Sequence, residues 1–235
     1  MRDARFTSLR RKIISHPSGI LLLVQLIGVL VYPLMEDTTP GRVAFELFGA
    51  LVLGLAIWST RESPGPTWIV IVLGVVASTL SITDAVNHST GLELSSAICH
   101  ALFYFWAAGN LMFYMLSDRE VTTDELYAVG ATFTLVAWAF AYLYALMQLV
   151  QPGCFTAAVD PDGQRSWTEL LFLSFTTLTS TGLSDIIPLT AEAWAVSMIE
   201  QLAGVGYVAL FVSRVVGLTI SRQIIHHDEP SSPDA

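Results

Sequence analysis

The sequence predicts an all-α membrane protein of six spanning helices, with a short re-entrant segment between the fifth and the sixth. Three observations predict it. The chain of 235 residues is 53% hydrophobic and only 13% charged, and its mean hydropathy is +0.60. Soluble domains carry roughly 25% charge. Six apolar runs approach or exceed the ~20 residues that a helix needs to cross a bilayer. The run SFTTLTSTGLSDIIP at 174–188 lies between two of these and is too short and too polar to be a span of its own. No stretch alternates with the two-residue period of a membrane barrel.

The elements follow in order. Residues 1–17 are basic, with Phe6, Leu9, Ile13 and Ile14 at near-helical spacing. They read either as an interfacial helix on anionic lipid or as a flank that sets topology. No small-residue cleavage site marks them as a removable leader. Spans are predicted over 18–35, 43–60, 67–84 and 93–117, a four-helix block. Residues 118–222 form a second unit, with spans over 124–150 and 190–222 around the re-entrant segment at 166–188. The polar end, 223–235, is predicted to be a disordered cytoplasmic tail.

Basic residues orient the chain. With the N-terminus inside, Arg2, Arg5, Arg10, Arg11, Lys12, Arg61, Arg119, Arg214 and Arg222 are cytoplasmic and only Arg42 and Arg165 are outside. That asymmetry predicts two cytoplasmic termini. The net charge of −9 belongs largely to the outer loops, where Glu36, Asp37, Asp84, Glu93, Asp160, Asp162, Asp185 and Glu192 collect. An acidic outer rim concentrates cations. The fourth predicted span, 93–117, contains no Lys or Arg, so it carries no gating charge for a transmembrane field to move.

The re-entrant segment carries the chemistry. Non-helical backbone at membrane depth is tolerated only where it is buried in protein or lines a water-filled cavity. Ser166 followed by Glu169 has capping-box spacing and starts a short helix whose negative end points to the middle of the membrane. Thr176, Thr177 and Thr179 close that helix, and the loop turns at Gly182. Hydroxyl and backbone oxygens at this depth suit an ion path. One such loop cannot enclose a path alone, and the sequence holds no second copy. Identical chains meeting about an axis supply the rest. Four is the number found in carbonyl-lined filters. The expected partners are therefore three further copies of this chain and membrane lipid, with no nucleic acid and no small-molecule substrate. No cofactor is expected.

Residues 166–222 resemble the pore module of the potassium-channel superfamily, most closely the small bacterial members of the two-helix ion-channel family. The resemblance rests on SFTTLTSTGLSDIIP and the following WAVSMIEQLAGVGYVALFVSRVVGL. The family loop usually reads Thr-Leu-Thr-Thr-Val-Gly-Tyr-Gly-Asp. Matched residue by residue, Thr177, Leu178 and Thr179 fall at the end of the pore helix. Ser180, Thr181, Gly182, Leu183 and Ser184 fall on the selectivity filter, and Asp185 on the acid at the outer mouth. The resemblance implies a homotetrameric cation channel in a bacterial inner (plasma) membrane, with potassium as the permeant ion and no bound metal beyond permeating monovalent cations. Only Gly182 of the five filter positions is retained. Leu183 lacks the hydroxyl that braces the filter from behind. Ser184 stands where a second glycine would take left-handed angles without steric cost. These departures predict a wider loop with fewer dehydrating sites. Two alternatives stay open: a non-selective cation channel, and a non-conducting scaffold or regulatory subunit that keeps the pore fold.

Some intramembrane polar residues also need roles. Glu200, about ten residues into the last span, is costly in hydrocarbon and is a functional candidate by default. It reads as a brace on the pore helix, with the Thr176 hydroxyl as its expected partner, or as a charge acting directly on passing ions. Gly204 and Gly206 are either hinges of the inner helix or sites of close helix approach. Arg214 is expected to snorkel to the inner interface. His100, Glu46 and Asp84 lie on different spans and depths, which argues against a metal centre or an enzyme. Cys99 and Cys154 are expected to be unpaired.

Overall fold

The structure is a computed structural model, and it describes residues 17–34, 39–59, 67–87, 89–117 and 123–227. Residues 1–16 and 228–235 lie outside the described residues, and with them most of the basic N-terminal segment and the end of the tail. The Glu46 side chain also lies outside them.

Seven α-helices and two two-residue strands make up the described chain. They are α1 (Pro17–Val31), α2 (Thr39–Ser59), α3 (Thr67–Asn87), α4 (Thr90–Ser117), α5 (Thr123–Val150), β1 (Phe155–Thr156), α6 (Trp167–Leu178), β2 (Ile187–Pro188) and α7 (Ala191–His227). A short 3-10 turn, Tyr32–Leu34, follows α1. Each predicted span overlaps one helix, and residues 166–188 hold the short α6.

Among the described residues, three helices are long and apolar enough to cross a membrane: Thr90–Ser117, Asp124–Val150 and Ala191–Arg214. The apolar stretches of the first three helices are shorter: Pro17–Val31, Phe48–Ser59 and Trp68–Asp84. α7 continues as helix to His227, five residues past the predicted end of the last span.

α5 is the hub, packing against α1, α4, α6 and α7. Its apolar residues run all the way round, the pattern of a helix enclosed by others. Ala128, Ala131, Ala137, Ala139 and Ala141 are buried and let neighbours approach closely, while Leu135, Trp138 and Tyr144 fill the remaining space. α3 does the opposite. It buries one narrow stripe, Val70, Gly74, Ala77 and Ser81, and exposes Trp68, Ile71, Val72, Val75 and Val76. Large apolar side chains on the outer face suit a lipid surround rather than water.

The two halves meet through aromatic rings. Trp167, the first residue of α6, sits edge-on to Tyr32 at 4.8 Å and to Trp138 at 5.5 Å, and 5.7 Å from Tyr142. Tyr142 stacks on His100 at 4.6 Å. His100 Nδ1 is hydrogen-bonded to the Ser96 carbonyl at 2.9 Å, so this buried imidazole has the partner that a satisfied core histidine requires. Tyr32 after α1 and the α5 residues Trp138 and Tyr142, backed by His100 of α4, thus build the socket that seats the start of the short helix.

Polar ties close the end of the bundle where α5 begins. Asp124, at the start of α5, accepts from Ser18 N at 3.2 Å and Ser18 Oγ at 2.9 Å. Arg214 on α7 donates to Glu125 at 3.4 Å and to the Leu116 carbonyl at 3.3 Å. The Arg214 side chain is largely buried in an ion pair with Glu125, which is itself almost fully enclosed.

Candidate pore loop

The start of α6 is fixed by its own sequence. Ser166 Oγ accepts from Glu169 N at 3.3 Å, and Ser166 N donates to Glu169 Oε2 at 2.6 Å, so the capping box predicted from the spacing forms. The loop before it is held by Arg165, which is buried and donates to the carbonyls of Val159, Asp160 and Gly163. Gln148 at the end of α5 clamps the Arg165 backbone on both sides, accepting from its N at 3.0 Å and donating to its carbonyl at 2.8 Å. β1 then pairs antiparallel with β2, Phe155 opposite Pro188 and Thr156 opposite Ile187. The segment leaving the loop is thereby tied to the segment that precedes α6. Cys154, under this pair, is a free and fully buried thiol, and burial pushes its pKa up.

The end of α6 is a Schellman cap. Ser180 N donates to the Thr177 carbonyl at 2.9 Å, and Thr181 N to the Thr176 carbonyl at 2.9 Å. Gly182 N reaches the same Thr176 oxygen at 3.2 Å. The Thr181 hydroxyl also lies within reach of it at 3.3 Å. The cap needs left-handed backbone at the residue after Thr179, and Ser180 takes it with φ +56°. Gly182 follows at φ +64°.

This corrects one expectation. The left-handed angles fall on Ser180 and Gly182, not on Ser184, so the serine that replaces a second glycine meets no such cost. Ser184 instead accepts from Ile186 N through its hydroxyl at 3.1 Å, a local side-chain turn. Left-handed backbone costs an L-residue about 1–2 kcal/mol. Ser180→Gly is therefore expected to raise the stability of the fold by up to about 1 kcal/mol, and Ser180→Val to lower it. Thermal unfolding of the purified variants checks both.

Backbone geometry then sets the oxygens. The peptide bonds of the described residues are all trans, so the carbonyl of each unit points opposite to its N–H. The N–H groups of Ser180, Thr181 and Gly182 point into the end of α6. The carbonyls of Thr179, Ser180 and Thr181 consequently point away from it, on a segment whose residues are exposed in the single chain. Leu183 is 77% exposed, and Asp185 beyond it is exposed as well. A row of carbonyl and hydroxyl oxygens on an open face can replace part of a cation's water shell. Among the described residues, no cluster of His, Cys, Asp and Glu could hold a resident metal ion.

Behind this row, α7 holds α6 in two places. Glu200 is fully buried and accepts from the hydroxyls of Ser174 on α6 and Tyr144 on α5. Ser174 Oγ also contacts the Ala137 carbonyl of α5 at 2.8 Å, and the Tyr144 hydroxyl lies 3.2 Å from Ser197 Oγ. Glu200 thus joins α5, α6 and α7 at one point. The expected partner is corrected here too. The Thr176 hydroxyl bonds back to the Leu173 carbonyl of its own helix at 2.9 Å, and Ser174 takes the contact with Glu200. Two residues along a helix is a rotation of about 200°, so the two hydroxyls face opposite ways. Tyr144 carried no signal in the sequence, because nothing there says which face of α5 turns to α7.

The second contact is Gly204. A Cβ at this position would overlap the Leu178 carbonyl, with the Leu178 carbonyl carbon only 2.7 Å away. Gly204 is therefore a site of close helix approach. Around Gly206 there is open space, with nothing within 4 Å of such a Cβ.

No curated protein and no solved structure matches the chain. Residues 131–220, which run from α5 through the capped helix and its loop into α7, match the family model described as an ion channel, and this supports a channel function for an integral membrane protein.

Proposed function

We propose that the chain is one subunit of a homotetrameric cation channel that conducts passively and takes potassium as its principal ion. The observation that carries the reading is the loop after α6, whose three outward carbonyls at Thr179, Ser180 and Thr181 sit on a hairpin clamped between α5 and α7. The filter extends through Gly182, Leu183 and Ser184 to Asp185 at the outer mouth. Thr176, Thr177 and Glu200 support it from behind. All six long helices, α1–α5 and α7, cross the membrane in this reading, with α6 re-entrant and both termini cytoplasmic. The first four helices are a scaffold for the pore helix, supported by the aromatic socket around Trp167. The host membrane is a bacterial plasma membrane.

Purified protein in planar bilayers tests this. Currents are expected, with a reversal potential that follows the potassium gradient when sodium is placed opposite. A reversal potential near zero under those ions marks a non-selective cation pore. Silent bilayers from a folded tetramer would identify a non-conducting subunit and overturn the proposal.

A further inference from the structure

α7 carries two adjacent polar side chains at mid-span. Glu200 turns inward and is spent on its own pore helix. Gln201, rotated about 100° from it, is exposed and forms no hydrogen bond to any described residue. A carboxamide left in hydrocarbon is strongly unfavourable, so it requires a polar partner beyond the single chain.

Depth identifies the partner. Gly204 lies against Leu178, so Gln201, three residues nearer the outer end of α7, stands about 4.5 Å outward of that level. Thr181 is tied to the Thr176 carbonyl, which lies about 3 Å outward of Leu178 along α6. The two levels thus differ by about 1.5 Å along the helix axes, yet the amide and the Thr181 hydroxyl form no hydrogen bond within a protomer. Their chemistry is complementary. The Thr179 hydroxyl uses its proton on the Phe175 carbonyl at 2.7 Å, so in the 3.0 Å contact between the two threonines Thr181 is the donor. Thr181 Oγ1 then keeps its lone pairs free, and the Gln201 amide offers two N–H groups. Leu183, the neighbouring exposed residue of the loop, has no polar atom to hold it in place.

We propose that Gln201 of each subunit donates to the Thr181 hydroxyl of the adjacent subunit. Each α7 then holds two pore loops, its own through Glu200 and its neighbour's through Gln201. Gln201 is thereby a positioning residue for the filter loop, and the occupant of this face is a second copy of the chain. The inference rests on the tetramer proposed above.

Two experiments on the full chain in liposomes test it. The first is Gln201→Cys combined with Thr181→Cys in a Cys99→Ala, Cys154→Ala background. Mild oxidation is expected to give a ladder of covalent dimer, trimer and tetramer on a non-reducing denaturing gel, with neither single variant doing so. The second compares Gln201→Leu, Thr181→Val and the pair. Each single change is expected to weaken subunit association roughly three- to tenfold per contact, and the pair no further than either alone. A tetramer that neither cross-links nor shows this non-additivity overturns the contact while leaving the channel reading in place. A cross-link confined to the monomer also overturns it. A wild-type chain that is monomeric in lipid overturns both.

Discussion

Glu200→Ala is expected to abolish the stable folded protein. The substitution leaves the buried hydroxyls of Ser174 and Tyr144 without their shared acceptor, and it opens a cavity where α5, α6 and α7 join. Ser174 keeps the Ala137 carbonyl and Tyr144 keeps Ser197 as partners, so each lost hydrogen bond to Glu200 costs about 0.5–1.5 kcal/mol, and the cavity adds to that. A loss of at least about 3 kcal/mol is a large part of the total stability of a domain. Glu200→Gln keeps the volume, retains an oxygen for Tyr144 and brings an amide that can donate to Ser174. It is expected to cost about 1 kcal/mol, in the range of a single exchanged hydrogen bond. Thermal unfolding in detergent and the elution profile of the purified variants check the pair. An alanine variant as stable as the wild type would remove Glu200 from its place as the joint of α5, α6 and α7.

Gly204→Ala carries the second large effect. The new methyl group cannot be absorbed by a rotamer change, because the atom it meets is the backbone carbonyl of Leu178. α7 or the end of α6 must move, and overpacking of this kind costs typically 1–3 kcal/mol. The displaced element is the base of the loop after α6, so under the proposed function the expected result combines a lower unfolding temperature with a loss of current. Gly206→Ala is the control. Its Cβ has open space, and alanine is the better helix former by up to about 1 kcal/mol. Gly206→Ala is therefore expected to leave the protomer as stable as before, or slightly more so. If both substitutions instead preserve stability and change only open probability, the hinge reading applies to both glycines and the packing argument for Gly204 fails.

How much of this could be read from residues alone varied with the kind of interaction. Helix positions were legible because apolar runs and their polar breaks are local. Each of the six long helices lies on the run that predicted it. The capping box was legible for the same reason, since Ser166 and Glu169 are three residues apart and their partners are each other. Partner choice across helices was not legible. Thr176 and Ser174 are both hydroxyl residues of one short helix, and only the rotation of that helix against α7 decides which of them meets Glu200. The role of the two glycines was equally hidden, because a gap and a contact look alike until a second backbone is placed beside them. The backbone angle at Ser180 ran against expectation because a Schellman cap is fixed by where α6 stops, and no residue type there announces it.

The sequence by itself determined that the chain is apolar helix nearly throughout, that one short polar segment interrupts it before the last helix, and that this segment is capped at its start. These are properties of hydrophobic periodicity and of neighbours within four residues, where chain connectivity supplies the geometry. Only the tertiary structure decided which atoms hold that segment: the Trp167 socket of Tyr32, Trp138 and Tyr142, the Glu200 junction, the Gly204 contact and the turn of three carbonyls away from α6. Each depends on the relative rotation and depth of elements far apart in the chain. Those are set by packing of the whole bundle, and no local pattern encodes them.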